Sequence, residues 1–140
     1  MADKVSDVMT RDPATCDTGD SLVDAAKAMR DGDFGAVVVT QGDQVHGILT
    51  DRDIVVRSVA NGDDPSSTTV GDICTANPTT LSPDDSIDDA IERIRAEDVR
   101  RLPVVDSDGT PVGIVSLGDL AVERDEDSAL ADISAASPNN

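Results

Sequence analysis

A chain of 140 residues is long enough for one ordinary domain or for two very small units that share a core. Its 29 acidic and 11 basic residues leave a formal net charge of −18, which repels free nucleic acid and anionic membrane surfaces, so neither is an expected partner. No apolar stretch approaches the roughly 20 residues of a membrane span, "MADKVSDVMT" lacks a signal-peptide core, and two cysteines are too few for a disulfide framework; a cytoplasmic protein is expected.

The acids are overwhelmingly aspartate, and Lys4 and Lys27 are the only lysines. This haloarchaeal-like composition resembles that of proteins from salt-loving microbes, where high salt screens self-repulsion. Periodic valine and isoleucine runs argue against disorder.

Taken in chain order, "VSDVMTRDPATC" (5–16) opens the sequence. "SLVDAAKAM" follows, with Leu22, Ala25, Ala26 and Met29 at helical spacing and Ser21 and Asp24 placed as a capping box. "AVVVT" and "VHGILT" are β-branched runs around the turn "QGDQ" and predict a hairpin. A second helix is expected from about residue 51, stopped by Gly62 and the turn around Pro65.

The chain then repeats itself. A shift of 65 lays "VGDICTANPTTL" (70–81) on 5–16 and "DSIDDAI" (85–91) on "DSLVDAA" (20–26). One extra residue near 106–111 moves the register to 66, and duplication is the simplest cause. Copy two therefore predicts a helix with Ile87, Ala90, Ile91 and Ile94 inward, capped by Ser86 and Asp89. A hairpin of "LPVVD" and "PVGIVS" around "DSDGT" follows, then a helix from about 117. Cys16 falls opposite Leu81 and Cys74 opposite Met9, so both are expected to be buried, inert thiols.

Each copy reads strand, helix, hairpin, helix, an α/β (α+β) arrangement of two units at 5–64 and 70–124, with residues 125–140 as a short helix or flexible tail. One such unit is marginal alone, and the two are expected to pack together.

The same eight-residue pattern closes both hairpins: "GILTDRDI" (47–54) and "GIVSLGDL" (113–120). Thr50 with Asp53, and Ser116 with Asp119, fit a cap for the helix that follows, and Gly47 and Gly113 would allow close strand packing. The same geometry also makes a ligand site. A helix start offers unpaired N–H groups to a phosphate, a hydroxyl adds a donor, and an aspartate one turn on can accept from two ribose hydroxyls. On the residues alone both readings stand.

The duplication, with "VSDVMTRDP", "GAVVV", "GILTDRDI" and "VGDI" in copy one and "NPTTLSPDDSIDDAI", "RRLPVVDSDG" and "GIVSLGDL" in copy two, resembles the tandem cystathionine β-synthase (CBS) domain pair, or Bateman module. The resemblance spans residues 5 to about 122. It implies two repeats related by a pseudo-twofold axis, with clefts between them that bind adenosine-containing ligands, and a stand-alone regulatory role without catalysis. Its nucleotide signature, Gly-aliphatic-x-Ser/Thr-x-x-Asp, maps onto Gly47, Ile48, Thr50 and Asp53, and onto Gly113, Ile114, Ser116 and Asp119. The segments at Thr15 and Thr80 resemble strands that contact the base. Arg100 and Arg101 stand where relatives often place phosphate-binding cations. Copy one has Gly35 and Ala36 there, but offers Arg52 inside the motif and Arg57 a turn later. AMP, ADP or ATP is the expected ligand, Mg²⁺ being able to accompany a triphosphate, with S-adenosylmethionine or a nicotinamide nucleotide as the alternative. A structural module with empty clefts is the other class of function.

Against these stands "LPVVDSDGT", which matches the DxDGT pattern of haloacid-dehalogenase-like phosphatases, with Asp106 as nucleophile and Asp108 as acid. The lysines lie far upstream, and too little chain follows Thr110 to finish such a parallel sheet. His46, the single histidine, is read as a strand or turn residue, and no zinc-type cluster is present. Apolar helix faces, Ile54 with Val59 or Leu120 with Val122, predict a homodimer, and output would pass to a separate protein target.

The charge makes a prediction of its own. At low ionic strength the Debye length approaches about 30 Å, so repulsion acts across the whole molecule. Thermal melts should therefore shift upward as KCl rises from millimolar to molar levels, and a melting temperature indifferent to KCl would refute the expectation.

Overall fold

Two antiparallel hairpins organise the chain. A computed structural model describes residues 3–97 and 99–124; the tail expected beyond residue 125 and the side chain of Val122 lie outside these residues. In chain order the elements are α1 (Val5–Val8), β1 (Thr10–Arg11), β2 (Thr15–Asp17), α2 (Leu22–Gly32), β3 (Ala36–Gln41), β4 (Gln44–Thr50) and α3 (Asp51–Asp53). Then come α4 (Val70–Ile73), β5 (Thr75–Ala76), α5 (Ile87–Glu97), β6 (Arg101–Val105), β7 (Pro111–Ser116) and α6 (Leu117–Arg124).

Residues 13–78 form one compact unit, around a sheet of order β2-β3-β4-β5. Residues 1–12 with those from 79 onward form the other, around a sheet of order β1-β7-β6. This partition is offset from the sequence repeat by about a dozen residues. The opening segment of each copy joins the hairpin of the other: β1 pairs with β7 (Thr10↔Ile114), and β5 pairs with β4 (Gly47↔Ala76). The short helices are exchanged too. Val5 and Ser6 N–H donate to Asp85 and Pro83 carbonyls at 2.9 and 3.0 Å, as Val70 and Gly71 N–H donate to Asp20 and Thr18 at 2.8 and 2.9 Å. The four bonds match residue for residue at the 65-residue shift.

The long helices obey their apolar spacing. Leu22, Ala25 and Met29 of α2, and Ile87, Ala90 and Ile94 of α5, are buried. Ala26 is exposed, contrary to expectation, because the narrow stripe of α2 leaves it on the solvent side. Ser21 and Ser86 Oγ accept the Asp24 and Asp89 N–H groups, both at 3.1 Å, the N-cap bond expected at each start. Each helix faces its own core: Val37, Val39, Leu49, Val70, Ile73 and Cys16 in the first unit, and Val5, Leu81, Leu102, Val104, Val115 and Leu120 in the second.

Both hairpins carry one bulge at the same place. His46 in β4 and Val112 in β7 have no opposite number, between pairs Val39↔Gly47 and Thr40↔Val45 in one and Val104↔Gly113 and Val105↔Pro111 in the other. His46 is thus a strand residue, as read from sequence. Gly42, first of the two loop residues of the β3–β4 turn, takes φ +64°, the conformation glycine supplies there.

The repeat breaks in two respects. In copy one Cys16 pairs in parallel with Val39, and Thr18 N–H extends the ladder to the Thr40 carbonyl at 3.0 Å. The counterparts of Thr18 and of Val38, whose N–H donates to the Ala14 carbonyl at 3.0 Å, are Pro83 and Pro103, which have no N–H, so the Thr80 segment keeps only a single bridge, Leu81 to Val104, instead of the strand expected there. The second helices also differ. After Asp53 copy one continues as a π turn (Ile54–Ser58) and a 3₁₀ turn (Val59–Asn61), ending on Gly62 at φ +76°, whereas α6 is α-helical. The β-branched run Ile54-Val55-Val56 weakens the α-helical alternative. Ser58 Oγ is buried without a hydrogen-bond partner, alone in that among the described residues.

Cys16 and Cys74 are both buried, and burial pushes both thiols above their usual range, with Asp20 and Asp24 beside the first and Asp53 beside the second adding to the effect. That agrees with inert core positions.

The glycines of the repeated motif have a packing reason. A Cβ at Gly47 would strike the Thr75 carbonyl and sit 3.0 Å from Cys74 Sγ, whereas at Gly113 it would meet Met9 Sδ at 2.5 Å and the Thr10 carbonyl at 3.1 Å. Backbone cannot yield as a flexible thioether can. Gly47→Ala should therefore lower stability by about 1–3 kcal/mol and Gly113→Ala by distinctly less. Urea midpoints of the two variants would show it, and equal losses would contradict the contact.

Candidate functional site

Each motif lies where a buried strand leaves its sheet and becomes a helix. In copy one Gly47, Ile48 and Leu49 are buried, and the chain turns at Thr50 (φ −114°, ψ 162°) into α3. Leu49 belongs to the core, with Val37 and Val39. By alternation Ile48 and its neighbour Val38 occupy the other face of the sheet, the face shared by Ile114 and Pro103 in copy two. The motif thus has one residue for the core and the next for the opposite face.

The hydroxyl and the carboxylate lock the turn reciprocally. Thr50 Oγ1 accepts the Asp53 N–H at 3.1 Å while Asp53 Oδ2 accepts the Thr50 N–H at 3.0 Å. In copy two Ser116 Oγ accepts the Asp119 N–H at 3.1 Å and Asp119 Oδ2 accepts the Ser116 N–H at 3.3 Å. Capping is therefore real in both copies. It sets each hydroxyl and carboxylate side by side at the strand-to-helix turn.

The turns are anchored alike from the adjacent strand. Asp51 N–H donates to the Gly35 carbonyl at 2.9 Å, and Leu117 N–H to the Arg100 carbonyl at 2.7 Å. Ala36 pairs with Thr50, and Arg101 with Ser116. Arg100 and Arg101 consequently stand at the mouth of the copy-two turn, at the positions of Gly35 and Ala36, as the sequence register placed them. Thr15 is exposed on β2 opposite Val38, and so lies one strand away from the copy-one motif. Thr80 is off-strand, and its carbonyl accepts from Arg93 at 2.9 Å.

The copy-one site cations are Arg57 and Arg52. Arg57 donates to the Ile73 carbonyl at 3.2 Å and stands 3.8 Å from Asp53 Oδ1, which holds it on the α4 side. Arg52 is exposed and its backbone N–H is taken by Asp51 Oδ1 at 2.8 Å. Sequence reasoning missed Asp51. Its carboxylate lies 3.1–3.4 Å from where a Gly35 side chain would begin. The signal was in the motif itself, which has Asp51 where copy two has Leu117.

Other groups have structural duties. Asp106 Oδ1 accepts the Asp108 and Thr110 N–H groups at 2.9 and 3.0 Å, and Gly109 takes φ +84°, so "DSDGT" is the closing turn of an antiparallel hairpin. A phosphatase nucleophile would need the end of a parallel strand, so the geometry contradicts that reading. Among the described residues no cluster of three metal-ligating side chains occurs, and no helix is long and apolar enough to cross a membrane.

The comparisons with known proteins agree with this geometry. The CBS domain family matches residues 5–59 and 70–126. The chain is 38% identical over 120 residues to the CBS domain-containing protein YhcV of Bacillus subtilis, covering 86% of this chain and 84% of that one. Among solved structures it is similar to a CBS-domain protein from Burkholderia ambifaria (TM-score 0.79, 30% identity, 89% of this chain and 96% of that one). It also shares its fold with CBSX2, solved in complex with AMP (TM-score 0.73, 23% identity, 87% and 96%). Two matched repeats, two sheets with the same bulge and two identically locked turns make one case: the chain belongs to the CBS domain family, as a tandem pair.

Proposed function

We propose that this protein is a non-catalytic regulatory module that binds adenosine-containing ligands, AMP, ADP or ATP, at the two repeated motifs and signals to a separate protein target. The observation that carries the reading is the reciprocal lock repeated in both copies. It places an aspartate carboxylate beside a hydroxyl at the end of a buried strand, where a ribose can meet the acid and a phosphate can meet the helix start. Thr15 and Thr80, with Ile48 and Ile114, supply the surroundings for the base. Arg100 and Arg101 supply cationic charge in copy two. The AMP complex of CBSX2 supports the ligand class, and S-adenosylmethionine or a nicotinamide nucleotide is the alternative within it.

A purely structural module is favoured by one specific observation: the same four side chains already satisfy the turns. The two readings separate on Asp119→Asn. Asparagine keeps an oxygen acceptor for the Ser116 N–H, so the capping loss stays below roughly 1 kcal/mol. The lost charge removes a hydrogen bond to ribose worth roughly 1.5–3 kcal/mol. Calorimetry should show a copy-two ligand bound about tenfold or more weakly, with little change in melting temperature. A lower melting temperature at unchanged affinity would leave the motif a cap.

Assembly follows from the copy-one helix. Ile54 and Leu120, expected to face a partner, pack on their own cores instead, because the helix turns them inward beneath the motif. Val55, Val56 and Val59 are 59%, 51% and 58% exposed on one run, and we place the homodimer contact there. Val55→Lys with Val59→Lys should move the protein from dimer to monomer in light scattering at micromolar concentration. An unchanged mass would remove this face from the interface.

A further inference from the structure

Copy two lacks two backbone donors that copy one uses, and it holds the corresponding segment by other means. In copy one the stretch at Thr15 is a strand, tied to β3 by Val38 N–H to the Ala14 carbonyl and by Thr18 N–H to the Thr40 carbonyl, both at 3.0 Å. At the 65-residue shift those two donors become Pro103 and Pro83. What remains is Leu81 N–H to the Pro103 carbonyl at 3.0 Å and Val105 N–H to the Leu81 carbonyl at 2.9 Å. Side chains of α5 act where the ladder fails. Arg93 Nη1 donates to the Thr80 carbonyl at 2.9 Å and reaches Asp85 Oδ2 at 3.5 Å. The same Oδ2 accepts the Ser82 N–H at 2.8 Å, so one guanidinium grips the segment at both ends. One turn further on, Glu97 Oε1 accepts the Thr79 hydroxyl at 2.7 Å. A spacing of four sets Arg93 and Glu97 on one side of the helix. Their counterparts in α2 are Ala28 and Gly32, and that of Thr79 is Ala14, so these side-chain bonds have no equivalent in copy one.

We propose that Arg93, supported by Glu97, is a positioning residue of copy two: it fixes the Thr80 segment to α5 in place of the absent ladder bonds, and so sets the nucleoside affinity of that copy without touching the ligand. This rests on the nucleoside reading of the motifs. The physical reason is that the two fastenings differ in kind. Backbone bonds hold the Thr15 strand within a sheet, where opening it means breaking a ladder. The Thr80 segment hangs on a guanidinium at the end of a flexible stem, its side chain 47% exposed, and a charged hydrogen bond of that sort is strong only while the stem stays ordered. The segment of copy two therefore depends on one side chain three turns of chain away, and that of copy one does not.

The test reads fastening and binding separately, on the full chain. Amide hydrogen exchange should quicken about tenfold at Leu81 and Val105 in Arg93→Ala, with β7 and residues 13–78 unmoved. Pro103→Val restores an N–H for the Thr79 carbonyl, as Val38 serves Ala14, and added to Arg93→Ala it should return both amides to slow exchange. Calorimetry with adenosine should show Arg93→Ala weakening binding about threefold or more in Asp53→Asn protein, where copy two is the intact site, and leaving it unchanged in Asp119→Asn protein. Pro103→Val should recover that affinity as well. Unchanged exchange at Leu81 and Val105 would overturn the fastening, and faster exchange spread over both units would make Arg93 a general stabiliser instead. Faster exchange at those two amides with adenosine affinity unmoved would overturn the positioning role and leave nucleoside binding intact. Wild-type protein that binds no adenosine would remove the nucleoside reading, and the positioning role with it.

Discussion

A two-stranded hairpin cannot stand in water with both edges open and one face apolar, and this constraint shapes the whole chain. Each hairpin closes one edge with a strand drawn from the start of the other copy: β5 on β4, and β1 on β7. That pairing brings the Thr75 carbonyl so near its motif strand that only glycine fits at Gly47 without a backbone shift, while at Gly113 the Thr10 carbonyl and the more yielding Met9 thioether crowd the same position. It also fixes where α1 and α4 dock, and so supplies Val5, Val70 and Ile73 to the cores. The turn that carries the site is held from beneath by this third strand.

In the proposed function, capping and recognition use the same atoms. Thr50 and Asp53, or Ser116 and Asp119, lock the strand-to-helix turn, and by doing so they present themselves in a fixed geometry to whatever approaches. Preorganisation of this kind lowers the ordering cost of binding. Asp53 is the more committed of the two acids, since Arg57 stands near its second oxygen and its side chain is 17% exposed. The two copies of one motif are therefore not equivalent surfaces, although their backbones are.

Most local structure could be read from the residues, because it is decided locally. Ser21, Ser86 and Gly62 cap or stop helices by bonds within a few residues, and the turns "QGDQ" and "DSDGT" encode their own conformations. The register of 65 put Cys16 with Leu81 and Cys74 with Met9, and the structure sets Cys74 and Met9 against Gly47 and Gly113. What could not be read depends on partners far along the chain. Nothing in "VSDVMT" announces that its strand belongs to residues 111–116, since a two-residue edge strand has no periodicity. The inward turn of Ile54 and Leu120 depends on packing that a short helix does not display. The π turn at 54–58 and the missing strand at Thr80 come from a few residues, a β-branched run and the pair Pro83 and Pro103, whose effect depends on the ladder around them. In the site, the paired hydroxyls and acids were legible as a motif. The weight of Asp51 was not, because it arises from nearness to Gly35.

The offset between repeat and unit also sets an order of assembly. Residues 13–78 are contiguous, so that unit holds all its strands as soon as the chain has been made to that point. The other unit is split, and Val5 must wait for Ile87, Leu102 and Leu120 to be made before its pocket exists. Closing that loop costs more chain entropy than any contact within 13–78, and contacts of long sequence separation form slowly. Residues 13–78 can thus mature first, while residues 5–11 and the segments from 79 to 124 meet last. The core beneath the turn with Asp119 is finished only when Val5 meets Ile87, Leu102 and Leu120.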